Sequence, residues 1–111
     1  MNRTRKGDYY RNRTRDWLEQ EGWTVAKLEH RQRLFTKTGV IFRASDIWGS
    51  DLVAINGEDI VFVQVKSNEK HLAQGEKELK KWPFPKSVKL WVVRWPPSRR
   101  LSVGPDIVEV Q

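Results

Sequence analysis

The chain has 111 residues, with 21 Lys and Arg against 14 Asp and Glu, for a formal net charge of +7 and no cysteine. That length sets one domain, residues 1–111, with one modest core, and the lack of cysteine excludes disulfides and thiolate metal sites. No apolar run spans a membrane and no signal peptide is visible, so a cytoplasmic protein without membrane partners is expected; the positive balance points to a polyanion, with a merely soluble basic protein as the alternative.

Residues 1–5 read as a disordered basic arm. There Arg3 and Arg5, with Lys6 beside them, either rest on phosphates or form a solvated tail. A helix is predicted from Gly7 to Gln20, with Tyr10, Trp17 and Leu18 as its apolar part and Gly22 as its end. Its arginines, Arg11 among them, either meet DNA or make a solvated face. Trp23 to His30 reads as the first strand. Arg31 to Gly39 is basic and irregular, and it is expected to be a loop that reaches DNA through Arg31, Arg33 and Lys37; a linker is the alternative.

Val40 to Ser50 leads toward the most informative stretch. Gly49 permits a backbone conformation or a close approach that other residues resist. Asp46 is either a metal ligand or a turn cap, and Trp48 either packs on the core or stacks on an opened base. Ser50 to Ile55 and Ile60 to Ser67 then read as two strands joined through Asn56-Gly57, a hairpin signal. Side chains alternate along a strand, so Gln64 and Lys66 share a face. A loop of two residues, or of four from Asn56 to Asp59, places Asp51 on that face as well; a three-residue loop turns it away. A carboxylate, an amide and an ammonium so grouped have two readings. One is an ion pair near the strand ends. The other is a metal and phosphate site, with hard oxygens for Mg²⁺ and a lysine that orients water or stabilises developing charge.

After Lys66, Ser67 or Asn68 is expected to cap a helix over 69–81, which Pro83 and Pro85 stop. Ser87 to Trp95 reads as a strand, and Asp106 to Val110 as a last edge strand. The sum is an α/β domain: a mixed sheet of about five strands with flanking helices.

Asp51, a hairpin, then Gln64-Val65-Lys66 resembles the core of the PD-(D/E)XK nucleases. With Lys6-Gly7 ahead of a helix, Gly49-Ser50-Asp51-Leu52-Val53-Ala54-Ile55, and Phe62 to Ser67, the chain is most similar to archaeal-type Holliday junction resolvases and their phage and bacterial relatives, over Lys6 to Trp95. The resemblance implies a restriction-endonuclease-like core and a divalent-metal-dependent endonuclease that hydrolyses phosphodiester bonds in branched DNA. It implies Mg²⁺ or Mn²⁺ held by Asp51, Gln64 and the Val65 carbonyl, with Asp46 or Asp8 assisting, and Lys66 positioning the attacking water. Arg3, Arg5, Lys6, Arg11, Arg31, Arg33, Lys37 and Ser67 are the expected DNA contacts, and a two-fold dimer is expected from the symmetry of a four-way junction. Two positions depart from the family: Gln64 stands where it carries Glu or Asp, and Arg11 where its resolvase branch carries a helix Glu. Both lower the negative charge available to a metal, and they define the alternative, a non-catalytic DNA-binding module that keeps the fold.

Overall fold

The computed structural model describes residues 3–28, 30–45, 47–66, 72–96 and 104–110. In chain order these form α1 (Arg3–Gln20), β1 (Thr24–Lys27), β2 (His30–Thr36), β3 (Gly39–Ser45), β4 (Leu52–Ile55), β5 (Ile60–Lys66), α2 (Leu72–Lys80), β6 (Lys89–Arg94) and β7 (Asp106–Val110). Five strands make one mixed sheet in the order β1-β4-β5-β6-β7. Its pairs are antiparallel except β5 with β6, which run parallel and are joined by the crossover through α2. The expected mixed sheet with flanking helices is therefore present, and β7 lies at its edge.

Helix α1 starts at Arg3, so it takes in residues expected to form a disordered arm. Arg and Lys are good helix formers, and a single glycine at Gly7 costs only about 1 kcal/mol. The helix stops where expected. Gly22 adopts φ 97°, and the Trp23 and Gly22 amides return to the carbonyls of Leu18 and Glu19 at 3.0 and 3.1 Å. That double closure needs a left-handed residue, which glycine supplies without a Cβ penalty.

The stretch expected to be a basic loop is instead a hairpin. β2 and β3 pair antiparallel from His30↔Ser45 to Thr36↔Gly39 and form a sheet of their own. Lys37 and Thr38 make its turn, which Thr36 Oγ1 closes by donating to the Gly39 carbonyl at 2.9 Å. The strands carry no apolar alternation to mark them, and they pair with each other rather than with the five-stranded sheet.

Two layers of side chains hold the main sheet. On one face Leu18 of α1 packs with Leu52, Ala54, Val61, Val63, Val93 and Trp95. On the other, Leu79 of α2 packs with Val92 and Val110. β5 lies at the centre of the sheet, which explains its near-continuous apolar run. Trp95, just past the end of β6, donates from Nε1 to Thr14 Oγ1 at 2.7 Å, and the Thr14 hydroxyl donates to the Tyr10 carbonyl at 2.7 Å. Arg13 covers the Trp95 ring at 4.2 Å. These contacts fix the middle of α1 over the C-terminal end of the sheet.

Candidate active site

The β4–β5 loop is the four-residue alternative, Asn56 to Asp59: Ile55 pairs with Ile60, Val53 with Phe62 and Leu52 with Val63. Asn56 Oδ1 accepts the Glu58 and Asp59 amides at 3.0 and 2.8 Å, which holds the turn. One step beyond the last pair, the register brings Asp51 opposite Gln64. There the strand bends. The Asp51 amide donates to Val63 of β5 at 2.8 Å, while its carbonyl accepts from Leu28, just beyond β1, at 2.8 Å. In a regular strand both groups of one residue face the same neighbour. The bend frees the side chain to act in the ladder, and Asp51 Oδ2 accepts the Val65 amide at 2.9 Å. Asp51 is thus docked on the backbone between Gln64 and Lys66.

Arg11 approaches the same carboxylate from α1. Its Nη1 lies 3.6 Å from Asp51 Oδ1, and its Nη2 donates to Asp8 Oδ1 one turn earlier. Burial works against the Arg11 charge, but hydrogen bonds and attraction from Asp8 and Asp51 outweigh it and hold the pKa above its ordinary value. The guanidinium is therefore a permanent cation beside Asp51.

Gln64 and Lys66 meet at a residue the sequence reading did not single out, Glu78 of α2. Gln64 Nε2 donates to Glu78 Oε2, and Lys66 Nζ lies 3.7 Å from the same oxygen. Gln64 is buried, and its Oε1 has no hydrogen-bond partner among the described residues. It lies beside Gly75, where an added Cβ would come within 3.1 Å of it. A buried oxygen left unpaired costs about 1–3 kcal/mol and calls for an explanation. Lys66 needed a counter-charge once buried, which was the one signal for a residue such as Glu78.

The turn Ile47 to Ser50 seats this site against α2. Its amide and carbonyl bonds run both ways, at 3.2 and 2.9 Å, around Trp48 at φ 54° and Gly49 at φ 71°. Two left-handed residues in succession suit a tight hairpin turn. Gly49 meets both expectations placed on it: a Cβ there would come 2.9 Å from the Glu78 carbonyl. Trp48 is bulky and pays roughly 1–3 kcal/mol for its conformation. Its ring packs 5.8 Å from Phe62 and 6.2 Å from Phe84.

Arg3, Arg5 and Lys6 lie in the first turns of α1 and Arg31 on β2, where the backbone alone is described. Arg33 and Lys37 are exposed on the β2–β3 hairpin. Asp46 and Ser67 lie outside the described residues.

Two carboxylates, Asp51 and Glu78, and the unpaired Gln64 Oε1 are hard oxygen donors of the kind Mg²⁺ takes, so the donor chemistry fits a divalent cation. Arg11 and Lys66 already balance those carboxylates, and the described residues hold no cluster of three acidic or histidine side chains. No protein-family model matches the chain, and no curated relative matches it. No helix among the described residues is long and apolar enough to cross a membrane.

Proposed function

We propose that this chain is a metal-dependent DNA endonuclease of the PD-(D/E)XK type, with a restriction-endonuclease-like core and branched DNA as its substrate. The observation that carries the reading is the docking of Asp51 on the Val65 amide, between Gln64 and Lys66. A hairpin that joins an acid to the Gln-Val-Lys segment at the same strand end is the arrangement this chemistry uses. Asp51, Gln64 and the Val65 carbonyl would hold Mg²⁺ or Mn²⁺, with Glu78 supplying the charge that Gln64 lacks. When bound, the ion polarises the phosphate and neutralises the leaving oxygen. Lys66 holds the attacking water near the strand end, and Glu78 keeps its ammonium in place. Arg11 reaches the same point from α1 and binds a phosphate oxygen. The β2–β3 hairpin, with Arg33 and Lys37, tracks the DNA backbone. Two copies acting together would match the paired strands of a four-way junction.

A second reading rests on Arg11. A guanidinium beside Asp51 supplies the positive charge that a metal otherwise would, which suits a DNA-binding module without catalysis. Incubating labelled four-way, flap and plain duplex DNA with Mg²⁺, Mn²⁺ or EDTA separates the two. Metal-dependent nicks in branched substrates support the nuclease; retention of DNA without nicks in any metal supports the module.

A further inference from the structure

Beside the Trp48 turn lies a cavity of about 400 Å³ lined by Trp48, Trp82, Pro83, Phe84 and Pro85. Pro83 and Pro85 follow the end of α2 and restrict the backbone φ of the segment that lines the cavity. Its walls are almost wholly aromatic and prolyl. Trp48 and Trp82 are 50% and 44% exposed, although each is among the largest apolar side chains in the molecule. Trp48 reaches that exposed position from a left-handed backbone at φ 54°, which a bulky residue adopts only when its surroundings hold it there. Phe62 and Phe84, with ring centroids 5.0 Å apart, back the Trp48 ring and fix its plane.

The segment that lines the cavity is flanked in the chain by lysines. Lys80 and Lys81 precede Trp82, Lys86 follows Pro85, and all three are exposed. None of them makes an ion pair among the described residues. An apolar cavity alone could take a proline-rich peptide or a second copy of the chain. Flat π faces flanked by unpaired ammonium groups match a different ligand: an unstacked base whose neighbouring phosphates meet the lysines. We propose that the Trp48–Trp82 cavity is a stacking site for a base of single-stranded nucleic acid, separate from the Asp51 site. This rests on the proposed role in DNA binding but not on catalysis. A protein that opens or grips branched DNA would use it to hold a base displaced from the helix.

The probes are a fluorescein-labelled 12-mer of thymidylate and an abasic 12-mer of equal charge, measured by anisotropy in EDTA so that no cleavage intervenes. The wild type should bind the thymidylate strand about tenfold more tightly, since stacking is lost with the base. Trp82→Ala should bring the two probes to within about twofold, whereas Trp82→Phe should keep most of the preference. Lys81→Ala with Lys86→Ala should weaken both probes together. Thermal melts confirm that each variant is folded. Equal affinity of the wild type for the two probes, or an unchanged preference in folded Trp82→Ala, would overturn the proposal and leave a peptide or second copy as occupant. A base preference without metal-dependent cleavage of branched DNA would retain the stacking site and remove the nuclease; no affinity for either probe would remove the stacking site.

Discussion

Arg11 Nη1 lies 3.6 Å from Asp51 Oδ1, so the acid at the head of β4 meets a cation supplied by the chain's own first helix. The same position is where the resembled resolvases carry a glutamate. Arg11→Glu puts a like charge beside Asp51 and removes the partner of Asp8. In EDTA the variant should melt lower by about 4 °C, corresponding to about 1 kcal/mol for a partly exposed pair. With Mg²⁺ the loss should be recovered, because the ion takes the place of the guanidinium. A melt that ignores Mg²⁺ would show that Asp51 offers no divalent site.

Gln64→Glu places a carboxylate where Gln64 Nε2 now donates to Glu78 Oε2. Two carboxylates at that distance cannot both stay ionised at low cost, so one pKa rises in the folded state. A raised carboxyl pKa means the folded protein holds the proton more tightly than the unfolded chain. The variant should then be more stable near pH 5 than near pH 7, with stability lost as pH rises through the folded-state pKa. At pH 7, millimolar Mg²⁺ should raise its melting temperature more than that of the wild type. Equal responses of the two proteins would remove Gln64 and Glu78 from the metal-binding set.

Gly49 and Gly57 both have positive φ, at 71° and 93°, but their surroundings differ. A Cβ at Gly57 meets nothing within 4 Å, whereas one at Gly49 meets the Glu78 carbonyl at 2.9 Å. Gly57→Ala should cost only the backbone penalty, about 1–2 kcal/mol. Gly49→Ala adds a clash with helix backbone and should cost about 1–3 kcal/mol more. Urea midpoints of the two variants give the difference, and equal costs would contradict the close approach of the turn to α2.

Much of this architecture is legible in the residues. Asn56-Gly57 and the apolar runs on either side mark the β4–β5 hairpin, but they leave its loop length open; the four-residue loop found is one of those that bring Asp51 to the Gln-Val-Lys segment. Gly22 and the proline pair mark both helix ends. The β2–β3 hairpin is not legible, because His30 to Thr36 shows no apolar alternation and pairs only within a two-stranded sheet of its own. Glu78 lies 14 residues beyond Gln64, and only the docking of α2 brings them together. The bend at Asp51 is a backbone event with no composition of its own. The aromatic cavity depends on Trp48 and Trp82 meeting across two loops, which no local pattern records.

Arg33 and Lys37 are exposed on the β2–β3 hairpin. If they lie on phosphates, replacing both by Ala removes two counterion-releasing contacts. The slope of log affinity against log salt should then become shallower by about 1.8, from about 0.9 per contact, equally for every duplex sequence. An unchanged slope would move the DNA path off the hairpin.

Single-turnover cleavage of a labelled four-way junction tests whether the strand end holding Asp51 and Lys66 hydrolyses DNA. The wild type should nick the junction in Mg²⁺ and not in EDTA. Asp51→Asn and Lys66→Ala should each lower the rate by at least about 100-fold while junction affinity in EDTA stays within about threefold. Junction binding by the wild type with no nicks in either Mg²⁺ or Mn²⁺, or cleavage that survives Asp51→Asn, would contradict it.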